Sequence, residues 1–320
     1  MEVRSLSFSL DRPVIDAFYA RAGIRLDKGV TALFGVYEGE ELLALGGIAG
    51  CSIRSLAVDD ASRGEGLLGI LVSHLYRTLR DAGAENVFVV TKPRYAKLFE
   101  SLGFHERAHT ADAALLESRR DGLSTFLAAL PEADGAIVMN ADPFTNGHRH
   151  LVETAAARCA RLTVFVLSAD AAHVPASVRL RLARKGCASF RNVSVVPGGD
   201  YIISAATFPD YFFKDATEAA FAHARLDATL FAEEIAPACG VRTRFVGEEP
   251  LDPLTRGYNE ALLSILPPRG VSVEVVPRIA HCGEPISASR VRALWKSGDF
   301  AALTPLVPET TLAYVREHAL

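Results

Sequence analysis

The feature that most constrains this chain is a regular strand-and-helix alternation in its second half. The apolar run AIVMN, starting at Ala136, is followed by an amphipathic stretch from Gly147 to Ala160, by LTVFVLS, by a helix through Leu180 and Leu182, and by VSVVP. The rhythm resumes with a helical stretch from Thr217 to Ala236, the strand VRTRFVG, a helix around Asn259 to Leu266, the strand VSVEVVP, and a helical region from Ser287 onward. Strands apolar on both faces must be covered on both faces, so a parallel sheet between helices is expected. Ligands bind such sheets beyond the carboxyl ends of the strands, which directs attention to the strand-to-helix turns.

The first half has a different texture. From Thr31 to Val58 three apolar runs separated by Glu-Gly-Glu and a Gly-rich step read as an antiparallel meander. A helix follows, with Leu67, Ile70, Leu71, Leu75 and Leu79 at helical spacing and a stop at Gly83, then the short strand NVFVVT, the helix RYAKLFESLGF and an apolar run near Ala113 to Leu116. Pro131, Glu132, Asp134 and Gly135 mark the boundary, so the expectation is an α/β protein of two domains: a mixed α+β domain over 1–130 and the parallel-sheet domain over 131–320. A length of 320 residues accommodates two cores.

A net charge of −4 provides no general field for a phosphate polymer, which argues against nucleic acid as a partner. The five cysteines stand singly, without a CxxC pair for a structural metal, and fit a reducing cytoplasm. No stretch approaches the roughly 20 apolar residues of a membrane span.

Between AIVMN and its helix lies Asn140-Ala141-Asp142-Pro143-Phe144-Thr145-Asn146-Gly147-His148. A helix amino terminus at the sheet's carboxyl edge favours an anion such as phosphate. Gly147 permits close backbone approach, and Thr145 and His148, three apart, supply a hydroxyl and an imidazole to one side of the first turn. Taken alone, a capped helix with a surface histidine explains these residues equally well. After the strand VSVEVVP the segment Ile286-Ser287-Ala288-Ser289-Arg290-Val291-Arg292 opens another helix. Ser289 and Arg292, at i and i+3, share a face and form an anion cradle with Ser287; a Ser cap beside a solvated Arg is the alternative.

Together the two segments resemble the (H/T)xGH and ISxSxxR-type motifs of the nucleotidyltransferase (cytidylyltransferase-like) superfamily. The resemblance implies a Rossmann-like sheet, ATP bound with Mg²⁺ and an oxygen nucleophile directed at the α-phosphate, with diphosphate expelled. It further implies that His148 and Thr145 hold α-phosphate oxygens, and that Ser287, Ser289 and Arg292 hold the β and γ groups, with Asn140, Pro143, Phe144 and Gly147 shaping the pocket. Many members carry a lysine in the loop after the second strand; Ser168 to Arg179 contains none, leaving Arg179, Arg184 or Lys185 as replacements.

The intervening text, MNADPFTNGHRHLVE, PGGDYIISAATFPDYFFKD, FVGEEPLDPLTRGYNEALLSILPPRGVSVEVVPR and ISASRVR, resembles the citrate lyase ligase family over essentially the whole chain. That resemblance implies an acetate ligase that forms acetyl-AMP and acetylates the prosthetic thiol of the citrate lyase acyl carrier subunit. Gly247, Glu248 and Tyr258, with Glu249, Pro250 and Asn259, are then candidates for gripping the nucleotide, and Asp200, Tyr201, Thr207, Tyr211 and Lys214 for lining the pocket. The rivals are an adenylyltransferase acting on a phosphorylated pantetheine- or nicotinamide-type precursor, and a non-catalytic module that senses nucleotide.

In the first domain the turn around Arg63, Gly64 and Gly66 resembles the coenzyme A loop of GNAT acetyltransferases, and Tyr95 through Phe104 resembles their later Y…GF segment. The usual Gln/Arg position is held by Ala61. Backbone amides in such a turn cradle a pyrophosphate, so this loop is the expected holder of the carrier's dephospho-coenzyme-A-type arm.

Overall fold

The computed structural model describes residues 1–62, 64, 66–169, 172–202, 208–213, 215–249 and 252–318. Contacts divide the chain into one unit of Met1–Ser124 with Ala205–Leu226, and another of Thr125–Ser204 with Asp227–Leu320. The first break lies close to the expected cut at 131. The segment Ala205–Leu226 belongs with the first unit, which a single cut does not accommodate.

The first unit contains β1 (Glu2–Leu6), α1 (Arg12–Ala22), β2 (Ala32–Glu38), β3 (Glu41–Ala49), β4 (Ser52–Val58), α2 (Leu67–Asp81), β5 (Phe88–Thr91), α3 (Ala96–Ser101), β6 (His105–His109) and β7 (Ala114–Glu117). The expected meander is β2, β3 and β4, inside a sheet ordered β1-β2-β3-β4-β5-β7-β6. Only β4 and β5 run parallel; every other neighbouring pair is antiparallel. Leu67, Leu71, Leu75 and Leu79 recur every fourth residue and bury one face of α2 against Val36, Ala44 and Ile53. Ile70, counted with that face from its spacing, is instead exposed. A short helix α4 (Gly122–Ala128) follows at the first division between units.

The second unit is built on β8 (Gly135–Met139), α5 (Asn146–Ala156), β9 (Leu162–Val166), α6 (Ala176–Cys187) and β10 (Val193–Pro197). After α7 (Ala216–Leu230), a π turn and α8 (Ala236–Cys239) come β11 (Thr243–Gly247), α9 (Pro253–Ile265) and β12 (Ser272–Val276). The five strands are parallel in the order β10-β9-β8-β11-β12. Side chains alternate as strand geometry demands: Ile137, Val164 and Phe245 pack with α5 and α6, whereas Ala136, Phe165 and Val246 pack with Ala228, Phe231 and Leu262. The closing α10 (Ala288–Ser297), α11 (Phe300–Leu303) and α12 (Glu309–Glu317) share a smaller core containing Val291, Trp295, Leu303 and Val315, together with Val174 and Ile286. No helix among the described residues is long and apolar enough to cross a membrane.

Candidate active site

β8 ends at the carboxyl edge of the sheet, and its turn into α5 closes on itself. Thr145 is the N-cap: its hydroxyl accepts the backbone N–H of His148 at 3.3 Å, while its own backbone N–H donates to His148 Nδ1 at 3.0 Å. This reciprocal box satisfies two amide donors that a helix start leaves open. It also sets the chemistry of the ring, because a nitrogen that accepts from a backbone N–H carries no proton in the neutral imidazole, so the proton resides on Nε2. Burial, assisted by the positive charge of Arg278, pulls the His148 pKa from 6.5 to about 4. At neutral pH His148 is therefore an uncharged donor through Nε2, which has no hydrogen-bond partner among the described residues. The fully buried Phe144 stacks beside the imidazole, with ring centroids 5.6 Å apart, and its carbonyl accepts the Thr311 hydroxyl at 2.9 Å.

The second motif meets the first at close quarters. A methyl group at Gly147 would lie 2.9 Å from the Ile286 carbonyl oxygen, so glycine is required here for α5 to approach the backbone leading into α10. The sequence suggests a glycine that makes room for a ligand; its immediate neighbour is the other motif. Ser287 caps α10, accepting the Arg290 N–H at 3.1 Å. Arg292 Nη2 donates to the exposed Ser289 hydroxyl at 3.2 Å, and Nη1 donates to the Asp142 carbonyl at 2.5 Å. Thr145, His148, Ser287, Ser289 and Arg292, which come from two turns far apart in sequence, are thereby gathered at one edge of the sheet.

Asp142 is the residue that joins them, and it drew no attention from the sequence. Its buried carboxylate accepts the Val174 N–H at 2.8 Å and the His173 N–H at 3.1 Å, contacts His173 Nδ1 at 2.9 Å, and lies 3.6 Å from Arg292. Burial alone would raise its pKa; the His173 ring and backbone, the Val174 amide and Arg292 outweigh burial and hold it below the usual carboxylate value. Its signal was present in the text, as a short acid immediately before a proline and three residues ahead of a helix cap.

The other expected residues are placed as follows. Pro143 is buried in the turn, and Asn140 is exposed, with its carbonyl and side-chain oxygens accepting from Arg179 Nη1 at 2.8 and 2.7 Å. Arg179 also donates to the carbonyls of Val174 and Ala169, so this buried guanidinium is a bracket for the loop following β9. Arg184 donates to the Val195 carbonyl at 3.1 Å. Gly247 ends β11 with open space where a side chain would stand. Glu248 is exposed and its carbonyl accepts from Arg278 at 2.6 Å; Arg278 also pairs with Glu249. Arg278 is thus a cation beside His148 that sequence reasoning passed over, although it directly follows the strand ending VVP. Tyr258 has its hydroxyl committed: it donates to Asp227 and accepts from the buried Arg244 at 3.4 Å. Pro250, Thr207 and Lys214 lie outside the described residues.

The first unit holds a separate cavity of about 710 Å³, lined by Gly64, Gly66, Thr91, Lys92, Tyr95 and Tyr211 among others. Gly64 and Gly66 adopt φ of 95° and 74°, and nothing stands within 4 Å of the side-chain position at either. Arg63 lies outside the described residues. Tyr211, which sequence order suggests for the second domain, is in the first unit and lines this cavity.

Residues 134–315 match the family of the citrate lyase ligase C-terminal domain. A citrate (pro-3S)-lyase ligase of Klebsiella pneumoniae is 38% identical over 320 residues, covering 96% of this chain and 93% of the relative. The chain belongs to the citrate lyase ligase family. Its counterpart in Escherichia coli K12 is 36% identical, covering 94% of this chain and 89% of the relative. As a citrate lyase ligase the chain is an enzyme of the ligase class, and the family match spans both turns that meet at Asp142. Among solved structures, the ribosomal-protein-S18-alanine N-acetyltransferase of Escherichia coli is similar over 36% of this chain and 91% of its own, at 20% identity and a TM-score of 0.31.

Proposed function

We propose that this enzyme activates acetate as acetyl-AMP, using ATP and releasing diphosphate, and then passes the acetyl group to the prosthetic thiol of the citrate lyase acyl carrier subunit, which switches the lyase on. The observation that carries the reading is the convergence of the Thr145–His148 turn and the Ser287–Arg292 helix start on Asp142. Adenylation needs no side-chain nucleophile, since acetate itself attacks the α-phosphorus. It needs alignment and donors at the oxygens where charge develops.

The assigned roles follow from the bonding of each side chain. Neutral His148 presents Nε2–H to an α-phosphate oxygen while Thr145, held by the capping box, fixes the imidazole plane. Arg292 and Ser289 face the β and γ groups, with the guanidinium oriented by the Asp142 carbonyl. Arg278 adds positive charge near the same imidazole. Among the described residues no three His, Cys, Asp or Glu side chains converge as a metal site, so Mg²⁺ in this reading is held chiefly by the phosphates, as that ion commonly is. The first-unit cavity is assigned to the carrier's dephospho-coenzyme-A-type arm, its phosphates near the Gly64 and Gly66 backbone and the Lys92 side chain.

Hydroxylamine trapping tests the reading. The full chain with ATP and acetate, without carrier, should yield acetohydroxamate and AMP. A dinucleotide product from a phosphorylated precursor, with no hydroxamate, would instead identify a cofactor-building adenylyltransferase; no turnover of any kind would leave a nucleotide-sensing module.

A further inference from the structure

Two histidines at this edge of the sheet are held in opposite senses. His148 accepts at Nδ1 and offers a proton at Nε2. His173 does the reverse: its Nδ1 lies 2.9 Å from Asp142 Oδ2, and Asp142 is held ionised below the usual carboxylate pKa. A carboxylate only accepts, so the neutral form of the His173 ring has its proton on Nδ1 and a lone pair on Nε2. That nitrogen has no partner among the described residues, and the side chain is half exposed. The ring is located by more than one bond, because the same Asp142 oxygen accepts the His173 backbone N–H at 3.1 Å and Oδ1 accepts the Val174 N–H at 2.8 Å. Val174 is fully buried in the cluster containing Ile286 and Val291, at the start of the Ser287–Arg292 helix. Behind it, Arg179 clamps the Val174 carbonyl at 2.9 Å. Among the described residues, the Asp142 carboxylate, the Arg292 guanidinium near it and the Arg179 guanidinium behind Val174 are charged groups bonded around this segment.

We infer that His173 is the general base of the second half-reaction, taking the proton from the thiol that attacks acetyl-AMP. The inference rests on the acetyl-AMP reading above. Adenylation calls for donors at phosphate oxygens, which His148 and Arg292 supply, but a thiol near neutral pH is largely protonated and needs a base to become a nucleophile. An imidazole whose other nitrogen is anchored by a buried carboxylate is suited to that task. In the step, the S–H proton passes to His173 Nε2 as sulfur bonds to the acetyl carbon. The bond from that carbon to the phosphate oxygen breaks, AMP departs with the electron pair, and the imidazolium returns its proton to water. Asp142 orients the ring and balances the transient positive charge.

The test separates the two half-reactions in one full-length variant. In His173→Asn the side-chain amide N–H replaces Nδ1–H toward Asp142, preserving the anchor while removing the base. Acetate-dependent exchange of labelled diphosphate into ATP should remain within about twofold of the parent, whereas acetylation of the carrier should fall on the order of 100-fold, the usual scale for a lost general base. Added imidazole should restore part of the transfer rate. Carrier acetylation at the parental rate would overturn the inference, as would an equal loss in both half-reactions without imidazole rescue, the pattern of a merely structural residue. Absence of exchange in the parent itself would instead defeat the adenylation reading.

Discussion

The two units each carry a turn from strand to helix, and the turns are made in contrasting ways. The turn between β8 and α5 is filled with side chains that bond locally and to neighbouring segments: Thr145 with His148, Asp142 with His173 of the loop after β9 and with Arg292 of α10, Phe144 against the His148 ring. The turn before α2 has two glycines with left-handed backbone angles and no side-chain cap on the helix. The first arrangement fixes donors before any ligand arrives, which is what stabilising a transient charge requires. The second leaves open space and backbone amides, suited to holding a pyrophosphate without acting on it. In the proposed reading the first turn serves the chemistry and the second the grip.

The most severe way to break that contrast is His148→Ala. If the neutral imidazole donates to the α-phosphate region, acetate-dependent diphosphate exchange should fall on the order of 100-fold or more, with the far-ultraviolet spectrum unchanged. A variant of parental activity would reduce the turn to a capped helix. Next in size is Arg292→Lys. The guanidinium serves the Asp142 carbonyl and Ser289 through different nitrogens, and an ammonium lacks that planar fork. A loss of about tenfold in exchange is expected, the scale of one charge-assisted hydrogen bond; equal rates would show that charge alone matters there.

How much of this contrast was legible beforehand depends on the kind of residue. AIVMN and LTVFVLS mark β8 and β9 because strands covered on both faces carry continuous apolar runs; VSVVP, VRTRFVG and VSVEVVP include polar residues, and β10, β11 and β12 were legible from their alternation with amphipathic helices. β6, with the sequence HERAH, has no such run and is specified by its pairing with β7. Thr145 and Ser287 were legible as helix caps because caps demand particular residue types at fixed spacing, whereas the phosphate roles proposed for the motif residues came from the family resemblance. The bonding of Asp142, His173 and Arg278 was not legible, since each depends on a partner from another segment. Nor could spacing reveal that Gly147 accommodates the Ile286 carbonyl, or that Arg179 is occupied by backbone oxygens.

Smaller effects sharpen the comparison further. Gly66→Val places a β-branched residue at φ of 74°, a conformation that costs a non-glycine residue about 1–2 kcal/mol, and puts a side chain into open space. Carrier acetylation should weaken severalfold through a higher KM for the carrier, while exchange is spared; unchanged kinetics at every carrier concentration would remove the arm from this cavity. The smallest effect concerns acid stability. His148 has a pKa of about 4 in the folded protein against 6.5 ordinarily, so between those values the unfolded chain binds more protons. Its contribution to stability is full above about pH 6.5 and declines as pH falls toward 4. Melting temperatures from pH 7 to 4.5 should therefore decline less in His148→Gln than in the parent, and parallel declines would contradict a desolvated neutral imidazole.

In the proposed reaction the gathered turns of the second unit make acetyl-AMP without help from the carrier. Incubating the full-length enzyme with ATP, acetate, Mg²⁺ and labelled diphosphate, and omitting the carrier, measures that step alone. Label should enter ATP only when acetate is present, and His148→Ala should reduce its entry more than Arg292→Lys does. Incorporation independent of acetate, or none until the carrier is added, would contradict the account.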